Sequence, residues 1–148
     1  MRVVNVENLI RNVKEMCIEA NHFLTDDMNQ ALKRAADAEK SPLGKKILCQ
    51  LQDNLDIAAE DQIPICQDTG MAVLFVEIGQ DVHVEGGLIT DAVNEGVRQG
   101  YREGYLRKSV VGDPIIRNNT GDNTPAVIHY DIVSGDRIKI TIAPKGFG

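Results

Sequence analysis

Residues 71–78 read MAVLFVEI, eight positions with one charge among them. The run is strand-sized, and its unbroken apolar character is the pattern of a strand covered on both faces. Upstream the period is different. Leu9, Ile10, Val13, Met16, Cys17 and Ala20 fall on one stripe of a helix over residues 5–20. Thr25 followed by Asp26 and Asp27 marks a second helix start, since a hydroxyl caps open N–H groups and carboxylates suit the positive end of the dipole. Met28, Leu32, Ala35 and Ala36 form its expected buried side. Ser41-Pro42 starts a third helix, with the cap followed by Pro at the first helical position, and Leu43, Ile47, Leu51, Leu55 and Ala58 in line behind it.

Downstream of the run, Gly79-Gln80-Asp81 is turn-like and VHVEG (82–86) alternates briefly. A helix is expected from about residue 88 to 105, with Gly96, Gly100 and Gly104 on one ridge. Each glycine costs about 1 kcal/mol relative to Ala in a helix interior. Something is therefore expected to pack close to that backbone, with the sheet as the candidate. Residues 107–125 form a long polar loop with two Pro and two Gly, of the kind that usually carries function. AVIHYDIV (126–133) and RIKITIA (137–143) alternate apolar and polar residues about Ser134-Gly135-Asp136, the pattern of a half-buried antiparallel hairpin. The expected class is α+β: a helical N-terminal cap, a mixed β-sheet with a flanking helix, and a C-terminal hairpin. The expected organisation is a single domain, residues 1–60 as cap and 61–148 as the sheet-containing part. The ending, a glycine-rich turn straight after a strand, reads as a cut.

At 148 residues and 43% hydrophobic, the chain can bury a core of its own. Sixteen basic against 22 acidic residues give a net charge of −6, and no basic block stands out. That argues against nucleic acid and anionic membrane surfaces as partners. No run approaches the roughly 18 apolar residues of a membrane span, and the N-terminus lacks a signal-peptide core. A cytoplasmic setting is expected. Cysteines at 17, 49 and 66, without a C-x-x-C pair, do not read as a disulfide framework.

Cys17 lies on an apolar stripe and reads as a buried thiol, and Cys49 has no polar neighbours in sequence. Cys66 differs. In QIPICQDTGM (62–71) it stands beside Gln67, Asp68 and Thr69, between a helix and the apolar strand. A nucleophilic cysteine needs a base, and no signature pairs it with His22, His83 or His129. A zinc thiolate needs a neighbouring ligand, and an iron–sulfur ligand needs thiolates from elsewhere. Local chemistry leaves all three open. In YLRKS (105–109), Arg107 and Lys108 read either as a solvated pair at a helix C-terminus or as a guanidinium fork for a carboxylate. NNTGDNTPA (118–126) reads first as a turn, KGFG (145–148) as a short anion-holding loop, and His129 as a surface or interface residue.

Taken in order, PICQDTG, YLRKS, NNTGDNTPA and APKGFG resemble the alpha region of the iron–sulfur hydro-lyases, the class I fumarase and L-tartrate dehydratase family. The resemblance implies that Cys66 is one of three thiolates holding a [4Fe–4S] cluster, with the other two beyond residue 148. It implies that Gln67 and Asp68 face the substrate, with Asp68 also a candidate for proton transfer. Arg107 would clamp a substrate carboxylate, and Gly148 would offer a backbone N–H. The implied reaction is reversible hydration of fumarate to L-malate, with L-tartrate dehydration as the alternative. The implied partners are a small dicarboxylate, the remainder of the alpha region, a beta region or subunit, and further copies in a homo-oligomer. A catalytically silent piece is expected, and a non-catalytic partner subunit that kept the fold is the reading from another class.

Overall fold

The computed structural model describes residues 1–147. The chain forms two compact units, one from residues 1–20 and 68–148, the other from residues 21–67.

The larger unit holds both sheets. Strand β1 (Arg2–Asn5) runs directly into helix α1 (Val6–His22), whose last two residues belong to the smaller unit. After the apolar strand β2 (Met71–Gly79) come β3 (Val82–Glu85), helix α4 (Ile89–Glu103), β4 (Val127–Val133) and β5 (Ile138–Lys145). β1 pairs in parallel with β3, from Arg2 opposite Val82 to Asn5 opposite Glu85. The three-stranded sheet has the order β4-β2-β5.

That order corrects the hairpin expected at the C-terminus. β4 and β5 flank β2 instead of pairing with each other: β4 is parallel to it and β5 antiparallel. The short link between them crosses the end of β2. There Gly79 N–H donates to Arg137 O (2.8 Å), Gln80 N–H to Val133 O (2.8 Å) and Asp81 N–H to Gly135 O (2.9 Å). A side chain on Gly79 would lie 2.4 Å from Gly135 O, so only glycine lets the link pass. Alternation in the two segments signalled one buried face each, and could not say which strand lay between them.

The continuous apolar run also reads differently once seen. Ala72, Leu74 and Val76 are 0–1% exposed, whereas Phe75, pointing the other way, is 45% exposed. Phe75 stacks on His129, its cross-strand partner in β4, with ring centroids 5.0 Å apart. The run is apolar because it is the central strand, and only one face is covered among the described residues.

The covered face meets α1 and α4. Val13, Cys17, Ala72, Leu74, Val76, Val93, Val97, Tyr101 and Leu106 form one core cluster. Burying a Val or Leu side chain contributes roughly 1.5–3 kcal/mol. The glycine ridge of α4 faces α1, not the sheet as expected. A Cβ on Gly96 would stand 2.7 Å from Val13 Cβ, and one on Gly100 2.7 Å from Cys17 Cβ. Gly104 would meet Ile18 Cγ1 at 2.8 Å. The three glycines let two helix backbones approach more closely than side chains permit.

The smaller unit holds helices α2 (Asp26–Ala38) and α3 (Pro42–Asp61). Ser41 caps α3 as expected, its hydroxyl accepting from Gly44 N–H at 3.3 Å, with Pro42 in the first turn. Thr25 occupies the cap position of α2 but makes no capping bond. Its hydroxyl serves the Asp27 carboxyl instead, which that hydrogen bond holds below its usual value. The expected stripes are only partly buried. Ala36 and Ala58 are covered, but Met28, Leu43, Ile47 and Leu51 are 47–67% exposed.

Candidate functional site

The loop that carries Cys66 is fixed just before it. Gln62 ends α3 in the left-handed conformation (φ 53°). Ile65 N–H then donates to Asn21 O at 2.9 Å, and Asn54 Nδ2 donates to Ile65 O at 3.0 Å. Both backbone groups of the residue preceding the cysteine are thus held within the smaller unit. Cys66 and Gln67 follow, both exposed. None of the three cysteines is in a disulfide. Cys49 on α3 is exposed, whereas Cys17 is fully buried and its thiol is pushed up to about 12 by that burial. Cys17 is therefore the inert thiol its apolar stripe indicated.

Asp68 opens the larger unit, and three of the quoted motifs gather on the residues that follow it. Thr69 Oγ1 donates to Arg107 O at 3.0 Å, and Tyr101 OH donates to Thr69 O at 2.9 Å. Both Thr69 and Tyr101 are buried. The LRKS segment is thereby joined to the QDTG segment through its backbone, leaving the Arg107 side chain exposed. Among the described residues the Arg107 guanidinium has no carboxylate partner.

The KGFG loop meets the same place. Phe147 N–H donates to Asp68 Oδ2 at 2.8 Å, so the anion this loop holds here is the Asp68 carboxylate. Gly146 leaves room for it, since a Cβ there would be 2.9 Å from Asp68 Oδ2. Gly70, at φ +60°, would place a Cβ 1.7 Å from Lys145 O, so the two segments lie backbone against backbone. Gly148 lies outside the described residues.

The turn-rich NNTGDNTPA segment supplies the residue that sequence reasoning missed. Asn123 is 0% exposed. Its Oδ1 accepts from Ser109 N–H (2.7 Å) and Val110 N–H (3.0 Å), and its Nδ2 donates to Gly70 O (3.0 Å). Next to it, Asp122 Oδ2 accepts from Arg98 Nε on α4 at 2.8 Å, and its Oδ1 from Thr124 N–H and Oγ1. Burial alone would raise the Asp122 carboxyl, but the Arg98 and Thr124 donors outweigh it and hold the group at about 2. An asparagine among turn formers looks like any other turn residue, so only its burial distinguishes it.

As donors for a metal, these residues offer a single thiolate. Among the described residues no three His, Cys, Asp or Glu side chains are grouped to hold a metal ion. Nor is any described helix long and apolar enough to cross a membrane.

The family described as Fumarate hydratase (Fumerase) matches residues 10–148. A protein of Methanocaldococcus jannaschii bearing the name "Putative L(+)-tartrate dehydratase subunit alpha" is 35% identical over 142 residues, 92% of this chain and 50% of that protein. Aerobic class I fumarate hydratase of Escherichia coli K12 is 40% identical over 76% of the chain and 21% of its own length. L(+)-tartrate dehydratase subunit alpha of Escherichia coli is 30% identical over 84% of the chain and 42% of its own. The chain thus spans half or less of the length of each.

Proposed function

Because the chain belongs to the fumarate hydratase (Fumerase) family, we propose that it is the N-terminal part of the alpha region of a hydro-lyase that interconverts fumarate and L-malate. L-tartrate is the alternative substrate, favoured by the two relatives that carry that name. The observation that carries the reading is the gathering of Asp68, the Arg107 backbone and the KGFG loop within one unit, through Thr69 Oγ1 to Arg107 O and Phe147 N–H to Asp68 Oδ2. A dicarboxylate needs a cationic or N–H partner at each end. Arg107 clamps one carboxylate, its exposed guanidinium having no carboxylate of the described residues to satisfy it. Gln67 and Asp68 contact the substrate beside it, and Gly148 offers an N–H. Loss or gain of water also needs a group that takes the proton at carbon and one near the departing oxygen, and Asp68 is the proton-handling group of this chain.

The family's cofactor is a [4Fe–4S] cluster, and Cys66 fits it as one ligand: it is exposed, in no disulfide, and presented on a loop whose preceding residue is fixed. Two further thiolates come from outside this chain in this reading. When bound, such a cluster supplies a Lewis-acidic iron to the substrate hydroxyl. The complete enzyme needs the rest of the alpha region and a beta region or subunit, assembles as a homo-oligomer, and works in the cytoplasm.

Anaerobic reconstitution with iron and sulfide tests this. Iron per chain, fumarate hydration and L-tartrate dehydration are read for the chain alone and for a chain extended through the alpha and beta regions. Iron and turnover in the extended chain only is the expected result. Iron and turnover in the short chain would overturn the assignment of the missing thiolates. Neither in either chain would leave a non-catalytic partner subunit.

A further inference from the structure

We infer that Asn123 is the positioning residue of this site, holding Arg107 and Asp68 in register with one fully buried carboxamide. The inference rests on the hydro-lyase reading above and deepens it.

Three observations carry it. The first is satisfaction: both polar atoms of the Asn123 side chain are used, and the two atoms bond backbone of two different segments. Oδ1 takes the Ser109 and Val110 N–H groups, immediately after Arg107 and Lys108, and Nδ2 gives to Gly70 O, two residues after Asp68. A carboxamide is the smallest side chain that accepts and donates from one rigid plane. The second is position: the side chain is 0% exposed, so these bonds have no water to compete with them. The third is the backbone. Asn123 sits at φ +63°, a left-handed conformation that asparagine tolerates better than most residues. Its loop is also anchored from the other side by Asp122 on Arg98 of α4.

The two arms reach different groups. The acceptor arm sets the backbone next to Arg107, whose own carbonyl is held by Thr69. The donor arm sets Gly70, which lies against Lys145 O and so governs where the KGFG loop meets Asp68. Neither arm touches substrate in this reading. Asn123 acts through the residues it holds.

The test is made in the complete hydro-lyase that carries this chain. Asn123→Gly removes the side chain without opposing the left-handed backbone, and Asn123→Asp keeps the acceptor arm while losing the donor arm. Asn123→Gly is expected to lower kcat/KM for L-malate by about ten- to a hundredfold, through both a raised KM and a lowered kcat. In an Arg107→Ala background the same change should add less than about threefold, since coupled residues are not additive. Asn123→Asp should restore KM towards the wild-type value while kcat stays low. An equal loss in both backgrounds, or an Asp variant indistinguishable from the Gly variant, would overturn the inference.

If the wild-type enzyme turns over neither L-malate nor L-tartrate, the functional reading falls, and amide hydrogen exchange in the chain itself decides the positioning role. In Asn123→Gly, loss of protection at Ser109 and Val110 together with Phe147 supports it. Loss confined to Ser109 and Val110 overturns it. Should Asn123→Gly fail to fold, Asn123→Asp carries the exchange comparison: exposure of Phe147 with Ser109 retained supports the role, and unchanged Phe147 overturns it.

Discussion

Two single residues carry charge-dependent consequences whose sign follows from burial at His22 and from hydrogen-bond donors at Asp122. His22 is 3% exposed, and neither ring nitrogen has a partner among the described residues. Burial lowers its pKa from the ordinary 6.5. Above that value the imidazole is neutral folded or unfolded; as pH falls through it, the unfolded chain takes up a proton that the folded chain refuses. Stability should therefore fall between about pH 7 and pH 5, and His22→Leu should flatten that slope in urea midpoints. Asp122 behaves in the opposite region. Its carboxyl is depressed from 3.8 to about 2, so the stability it supplies is present above 3.8 and lost as pH falls towards 2. Asp122→Asn should cost about 1–2 kcal/mol at neutral pH, and the difference from wild type should shrink below pH 3.8 and vanish only below about pH 2. Of the candidate site residues, Cys66, Gln67, Asp68 and Arg107 stood out in sequence because reactive or forked groups in loops are chemically conspicuous. Asn123 and Thr69 did not. Their role is written in burial and in backbone partners tens of residues away, which local composition does not encode.

Helices and strands were legible wherever one period dominated. The three helix starts, the switch at Met71 and the α4 helix follow from spacing and caps alone. Partnership between elements was not. The glycine ridge announced a close approach without saying that α1, eighty residues earlier, would make it. That approach gives a measurable contrast. Gly100→Ala gains about 1 kcal/mol of helix propensity but drives a methyl to 2.7 Å from Cys17 Cβ and 2.9 Å from Lys14 O, neither of which can yield. A net loss of about 1–3 kcal/mol is expected in denaturant unfolding. Gly44→Ala in α3 meets only the flexible Glu39 side chain, at 2.9 Å, and should be neutral or stabilising by up to about 1 kcal/mol. If both substitutions had the same effect, the α1–α4 contact would not be the cause.

At the scale of the molecule, the three cysteines report on integrity. Cys49 and Cys66 are exposed while Cys17 is sealed in the core with a thiol at about 12. A thiol reagent near neutral pH should therefore titrate two cysteines per native chain at once, and the third only with unfolding in denaturant. Prompt reaction of all three would mean that α1 does not stay seated on α4. The α+β class was legible from the change of period at residue 71, but the strand order was not, because alternation marks faces and never neighbours. That order, β4-β2-β5, also has a bearing on synthesis. β2 ends at Gly79, yet the strands that bond to its edges are complete only at Val133 and Lys145. At roughly 5–20 residues per second, about three to eleven seconds pass on the ribosome before β4 is complete, and up to about thirteen before β5 is. Until β4 is made the most apolar strand of the chain has emerged with both edges bare, and nascent copies on one messenger are then most prone to stick to each other.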